Sequence, residues 1–175
     1  YNNQGLLTGI TSAFGTERAV TYNLHDQPTT VVDANAVNVT QTFDRLSRLL
    51  TRAVPGQGTE VFRYSAAGLT NYTGPDSKVT RYGYDAAGRK TGETTPKTET
   101  ITYTYGPAND LLTLTDGRSK VTTWTYDIEG LVRTKRYHNQ SFANLGYSYD
   151  ANRRLAWRKF WSSPTQSKQT LYSYN

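Results

Sequence analysis

The densest side-chain chemistry in this sequence lies in Trp157-Arg158-Lys159-Phe160-Trp161. Indole rings flanked by cations can stack on sugar rings or on nucleobases. Trp157, Arg158, Lys159 and Trp161 are therefore candidate ligand contacts. The same spacing supports a plainer outcome. Trp157 and Trp161 are an even number of residues apart, so on a strand they share one face and can plug the interior of a sheet. Base stacking would also need a groove, and no nucleic-acid motif is visible, so nucleic acid is not an expected partner.

Other chemistry is hard to assemble. His25 and His138 have no cysteine or acidic neighbours that would complete a ligand set, and both read as polar turn residues. Asp26, Asp33, Asp44, Asp76, Asp85, Asp116, Asp127 and Asp150 all fall at turn-like positions, where a carboxylate already serves the backbone. They are too sparse to stack into a calcium ladder. No phosphate-binding glycine loop and no Gly-Xaa-Ser-Xaa-Gly elbow is present. With no cysteine there is neither a disulfide nor a thiolate metal site. The glycosylation triplets at Asn38, Asn71 and Asn139 carry little weight in a chain rich in Asn and Thr. The sequence thus assigns no catalytic, cofactor or metal site and reads as a non-enzyme.

The elements that position these residues follow from a period. An aromatic recurs at Tyr1, Tyr22, Phe43, Tyr64, Tyr84, Tyr105, Tyr126, Tyr149 and Tyr174, at intervals of 21, 21, 21, 20, 21, 21, 23 and 25 residues. Such regularity means tandem copies of one supersecondary unit. Residues 1–175 therefore read as a single array of about eight repeats. Because it opens and closes at the same phase, it is expected to be a fragment of a larger protein.

The best-formed unit begins Tyr84-Asp85-Ala86-Ala87-Gly88. Asp85 and Gly88 fit the first and last places of a type I turn, with glycine supplying the left-handed conformation. Asp127 to Gly130 repeats this, and Asp150 opens another copy in which Arg153 takes the glycine place, predicting a distorted turn there. Asp26, Ser47 and Asn109 fill the slot elsewhere. Two residues on comes an apolar position, at Leu7, Leu49, Leu111, Val132 and Leu155, broken by Pro28, Thr70 and Lys90. Alternating runs such as Ile101-Thr102-Tyr103-Thr104-Tyr105 mark a second strand before each aromatic. A looser, breaker-rich turn is expected between the two strands, for example Pro55-Gly56-Gln57-Gly58 or Gly74-Pro75-Asp76, and the two longest intervals are expected to lengthen it. Helical spacing around Asp44–Leu50 is overruled by its phase in the repeat, which calls for turn then strand.

The fold class is all-β: tandem β-hairpins of about 21 residues pairing into a curved, spiralling antiparallel sheet. With 14 Tyr against 5 Phe, its covered face should be built from tyrosine, threonine and aliphatic methyls, with phenols reaching polar partners. Exposed edge strands make self-association a further expectation. No apolar run is long enough to span a bilayer. The charge of +6 is concentrated in Arg133-Thr134-Lys135-Arg136, Arg153-Arg154 and Arg158-Lys159. That cluster reads either as an attractor of anionic partners or as a solvated face that protects against aggregation.

Tyr84-Asp85-Ala86-Ala87-Gly88-Arg89, Tyr126-Asp127-Ile128-Glu129-Gly130-Leu131 and Tyr149-Asp150-Ala151-Asn152-Arg153-Arg154-Leu155 resemble the Tyr-Asp, or YD, repeats of the Rhs family. The family includes bacterial rearrangement-hotspot proteins, shell-forming components of insecticidal toxin complexes, wall-associated proteins and teneurins. The resemblance implies a hairpin spiral forming part of a hollow shell in a large secreted or cell-surface bacterial protein. Its expected partners are the neighbouring repeats of the shell and an enclosed toxin or effector cargo encoded elsewhere in the parent. The family's Asp-Pro-Xaa-Gly boundary, linked to release of the cargo, has no counterpart, because the chain contains no Asp-Pro pair. The alternative is a glycan-binding or adhesive module using exposed Trp and Tyr. Against it, choline- and glucan-binding repeats typically carry Gly-Trp, which is absent here, and this chain has three tryptophans in all.

Overall fold

A computed structural model describes residues 1–138 and 142–174; the Asn139 triplet and Asn175 lie outside the described residues. All the regular secondary structure described is β-strand, and the chain divides into two compact units, Tyr1–Arg89 and Lys90–Asn175. The first unit contains β1 (Gly9–Ser12), β2 (Gly15–Tyr22), β3 (Pro28–Asp33), β4 (Asn38–Phe43), β5 (Leu49–Val54), β6 (Gly58–Tyr64), β7 (Leu69–Thr73) and β8 (Val79–Tyr84). The second contains β9 (Lys90–Thr94), β10 (Thr100–Tyr105), β11 (Leu111–Thr115), β12 (Val121–Tyr126), β13 (Val132–Arg136), β14 (Leu145–Tyr149), β15 (Leu155–Trp161) and β16 (Ser167–Leu171). Within each unit the strands pair antiparallel with their chain neighbours. The Asp44–Leu50 segment is turn and then strand, as its phase requires. Among the described residues, no helix is long and apolar enough to cross a membrane.

The period-two pattern gives each strand two unlike faces. In β10, Ile101, Tyr103 and Tyr105 are half-buried, whereas Thr100, Thr102 and Thr104 are exposed. On the threonine face, cross-strand hydroxyl pairs recur at the same place in the repeat. Thr42–Thr51, Thr104–Thr113 and Thr125–Thr134 each have Oγ1 atoms 2.6 Å apart, and Thr21 pairs with Thr30 in the same way. Such pairs add modest sheet stability and set the register. The covered face is thin: Val20, at 5% exposure, is the buried hydrophobic residue among those described, and no large side chain is fully buried. Stability must therefore come from links between neighbouring repeats.

The tyrosines at six of the repeat boundaries supply such a link. The phenol of Tyr22 donates to the Leu7 carbonyl, Tyr84 to Leu69, Tyr105 to Lys90, Tyr126 to Leu111, Tyr149 to Val132 and Tyr174 to Leu155, at 2.8–3.1 Å. Except for Leu7, which precedes β1, the acceptor is the first residue of the previous unit's leading strand. These bonds correct the apolar series. In the shortened Tyr64 unit the position belongs to Leu69 rather than Thr70, because the Ser65–Gly68 turn is one residue tighter and pairs Tyr64 with Leu69.

Six of the hairpins that begin at a boundary aromatic also carry a β-bulge that periodicity alone does not reveal. Tyr126 pairs with Val132 and Thr125 with Thr134, leaving Arg133 as the extra residue. The same shift precedes Tyr22, Phe43, Tyr64, Tyr105 and Tyr149. Bulges of this kind follow from a turn whose last residue is left-handed, and they re-aim the extra side chain.

The turns differ from expectation in two respects. The Arg153 turn is not distorted: Arg153 takes φ 63°, donates its N–H to the Asp150 carbonyl at 2.9 Å, and reproduces the Gly88 and Gly130 geometry (φ 77° and 78°). The Asp150 side chain holds that turn from both ends, which outweighs the cost of a left-handed arginine, about 1–2 kcal/mol. The second turn of the repeat is not generally looser either. Asp33–Val37, Gly74–Lys78, Thr95–Glu99 and Asp116–Lys120 show the same bond pair as the Asp85 turn, with Ala36, Ser77, Thr98 and Ser119 in the left-handed slot. The longer intervals are accommodated in two ways. The 23-residue interval lengthens the β13–β14 connection, whereas the 25-residue interval lengthens strand β15 to seven residues.

Candidate functional site

The repeat aspartates are committed to the backbone. Asp85 Oδ1 accepts the N–H groups of Ala87 and Arg89 at 3.0 and 2.9 Å, and its Oδ2 accepts Arg89 Nε at 2.7 Å. Asp44 with Arg48 and Asp150 with Arg154 repeat the arrangement. The arginine then reaches the next repeat: the Arg48 guanidinium lies 4.5 Å over the Tyr64 ring, and Arg154 lies 4.4 Å over Tyr174. Sequence reasoning missed this Asp–Arg–Tyr staple, although the Asp-Xaa-Xaa-Xaa-Arg spacing that encodes it is visible at all three sites. The backbone N–H of the paired arginine is the main cause that holds the Asp44, Asp85 and Asp150 carboxyls below the usual aspartate range, with its guanidinium adding to the effect. Asp127 differs: Leu131 occupies the arginine place, so Oδ1 caps the turn at 2.9–3.0 Å and Oδ2 has no arginine partner.

Glu60 is held by side chains instead. It accepts the Tyr72 phenol at 2.7 Å and pairs with Arg52 at 3.0 Å. The phenol's hydrogen bond is the largest cause lowering the Glu60 carboxyl, and the same bond raises the Tyr72 phenol. His138 Nδ1 accepts the Val121 N–H at 3.4 Å, a structural task. Among the described residues, no three His, Asp or Glu converge as a metal cluster.

The Trp-rich segment becomes β15, and the structure divides the four candidate contacts. Trp157, Lys159 and Trp161 alternate onto one face, whereas Arg158 lies on the other, opposite Tyr147 and Thr170. The four therefore do not form one contact surface, because strand side chains change face at every residue. Across β14 the shared face carries only Gly146 and Ser148, registered against Lys159 and Trp157. A Cβ on Gly146 would lie 2.8 Å from the Trp161 ring and 3.5 Å from Trp157, so both indoles close over that glycine. They are half-buried rather than plugged into a core, and Lys159 Nζ sits 5.1 Å over the Trp161 ring.

This geometry leaves a cleft of about 500 Å³, lined among others by Trp157, Trp161, Gly146, Ser148, Thr134 and Asp127, with Glu129 and Arg133 also on its walls. Arg133 is the bulged residue of its hairpin. Much of the basic cluster is engaged within the chain: Lys135 Nζ lies 5.4 Å over Trp124 and 4.8 Å over Tyr137, and Arg153 donates to the Glu129 carbonyl at 2.9 Å.

Comparison with known proteins gives a consistent picture. The RHS Repeat family model matches residues 1–38 and 64–100. The crystal structure of TcdB2-TccC3-Cdc42 superposes over 88% of this chain and 10% of its own, with TM-score 0.67 and 18% identity. That of TcdB2-TccC3 covers 82% and 9%, at 0.64 and 15%, and that of TcdB2-TccC3-TEV covers 90% and 11%, at 0.58 and 16%. At such identities these likenesses establish the fold, and the chain spans about a tenth of those structures' length. No curated protein sequence matches it.

Proposed function

From the premise that this chain belongs to the Rhs, or YD-repeat, family, we propose that it is a non-catalytic length of hairpin wall in a larger bacterial shell protein. The shell is secreted or displayed at the cell surface and encloses or presents a toxin or effector cargo encoded elsewhere in the parent. The observation that carries this reading is the commitment of the repeat's polar residues to its own architecture. The boundary phenols bond the preceding arm, and the turn aspartates hold their own turns and arginines. A chain built this way offers a surface and a partition, not converging acid and base.

Its principal partners on this reading are the repeats on either side and the enclosed polypeptide. Self-association is the other expected contact. Strands β1 and β16 are exposed along their length, and an edge of this kind, where a neighbouring repeat does not cover it, is one another strand can extend. Protease protection in the full-length protein tests the proposal. The cargo should survive limited digestion in the native protein and be degraded once the shell is unfolded in denaturant. Cargo digested at the same rate in both states would reject the enclosing role.

A further inference from the structure

We propose that the trough along β14 is a binding site for a short, uncharged oligosaccharide. The repeat departs from its threonine pattern at this hairpin. The position held by Gly146 carries Thr40, Val61, Arg81, Thr102 and Thr123 in other units, counting three residues back from each boundary aromatic. The hydroxyl pair seen as Thr104–Thr113 and Thr125–Thr134 becomes Ser148 opposite Trp157. One side chain is thus lost at Gly146, where the two indoles close in, and a shorter hydroxyl faces an indole at Ser148, which turns a regular threonine face into a trough walled by tryptophan.

The trough has the two characters that a pyranose requires. Trp157 and Trp161, rising from β15 on the same face, offer aromatic surface to the C–H face of a sugar ring. Around them, Ser148 and Thr134 bring hydroxyls, and Asp127 brings a carboxylate oxygen that its turn leaves without an arginine. Those groups suit the ring's hydroxyl edge. A volume of about 500 Å³ is in the range of small-ligand sites. The walls carry Asp127, Glu129 and Asp150 against Arg133, with Asp150 already paired to Arg154, so a neutral ligand fits better than an anionic one.

The test is calorimetric and tryptophan-fluorescence titration of the 175-residue chain with cellotriose, maltotriose and triacetylchitotriose, and with trigalacturonate as the anionic counterpart. At least one neutral trisaccharide should bind saturably. Its affinity should fall about tenfold in Trp157→Ala and in Asp127→Asn, and stay unchanged in Trp124→Phe, which lies beneath Lys135 on β12 away from the trough. Asp127→Asn keeps the oxygen that caps the turn, so it remains informative if Trp157→Ala fails to fold. Absence of saturable binding by any neutral probe, preference for trigalacturonate, or binding indifferent to Asp127→Asn would overturn the proposal. None of these results would touch the wall reading, which rests on other residues.

Discussion

The Tyr126 phenol donates to the Leu111 carbonyl at 2.8 Å, and that bond ties one repeat to the next. Tyr126→Phe should therefore lower stability by about 0.5–1.5 kcal/mol, read from the denaturant midpoint at unchanged slope. The converse substitution is available within the chain. Phe43 occupies a boundary position without a hydroxyl, and its pairing with Leu49 matches that of Tyr22 with Pro28. Phe43→Tyr would supply the missing donor toward Pro28 and should stabilise by a similar amount; a fall in midpoint would contradict the phenol's role. Titration gives a second check. The Asp85 and Asp150 carboxyls sit below the usual 3.8, so their contribution is present above that value and is lost as pH falls through their lowered folded values. Burial raises the Tyr126 and Tyr149 phenols above 10.0, so their contribution is complete below that value and is lost as pH rises through the raised ones. Denaturation midpoints should form a plateau between about pH 4 and 10 and fall outside it. A decline beginning near neutrality would place the stabilising charges elsewhere.

At the scale of elements, the hairpin grammar was legible where a single residue answers a local backbone demand. Asp at the start of a turn and Gly88 or Gly130 at its end are such residues, and their φ of 77° and 78° show why. The second turn was misjudged because Ala36, Ser77, Thr98 and Ser119 are not signature left-handed residues; antiparallel pairing on both sides forces them there. The Leu69 register, the bulges and the longer β15 depend on cross-strand pairing, which a linear period does not encode. Asn144 is the clearest case of a residue with no sequence signal. It is 8% exposed, donates its N–H to the Lys135 carbonyl, accepts the Trp161 N–H, and its Oδ1 accepts the Tyr137 N–H at 2.7 Å. Asn144→Ala should cost about 1–3 kcal/mol by orphaning that N–H, with hydrogen exchange rising first at Tyr137. Unchanged exchange there would mean the side-chain bond is dispensable.

Taken as a molecule, the chain carries little covered core and many repeated links, the condition in which stability is a sum over neighbours. The candidate site was only partly legible for the same reason. The Trp-rich segment drew notice by composition, but the split between Arg158 and the Trp157–Lys159–Trp161 face and the closing of both indoles over Gly146 arise from pairing between strands, and the oxygen of Asp127 without an arginine from its own turn. Cryo-electron microscopy of the larger protein proposed to contain this segment tests the central claim most directly. The account predicts residues 1–175 as consecutive hairpins in the wall of a hollow shell, with the boundary phenols bonded one arm back. An isolated, solvent-filled array that encloses nothing would contradict it.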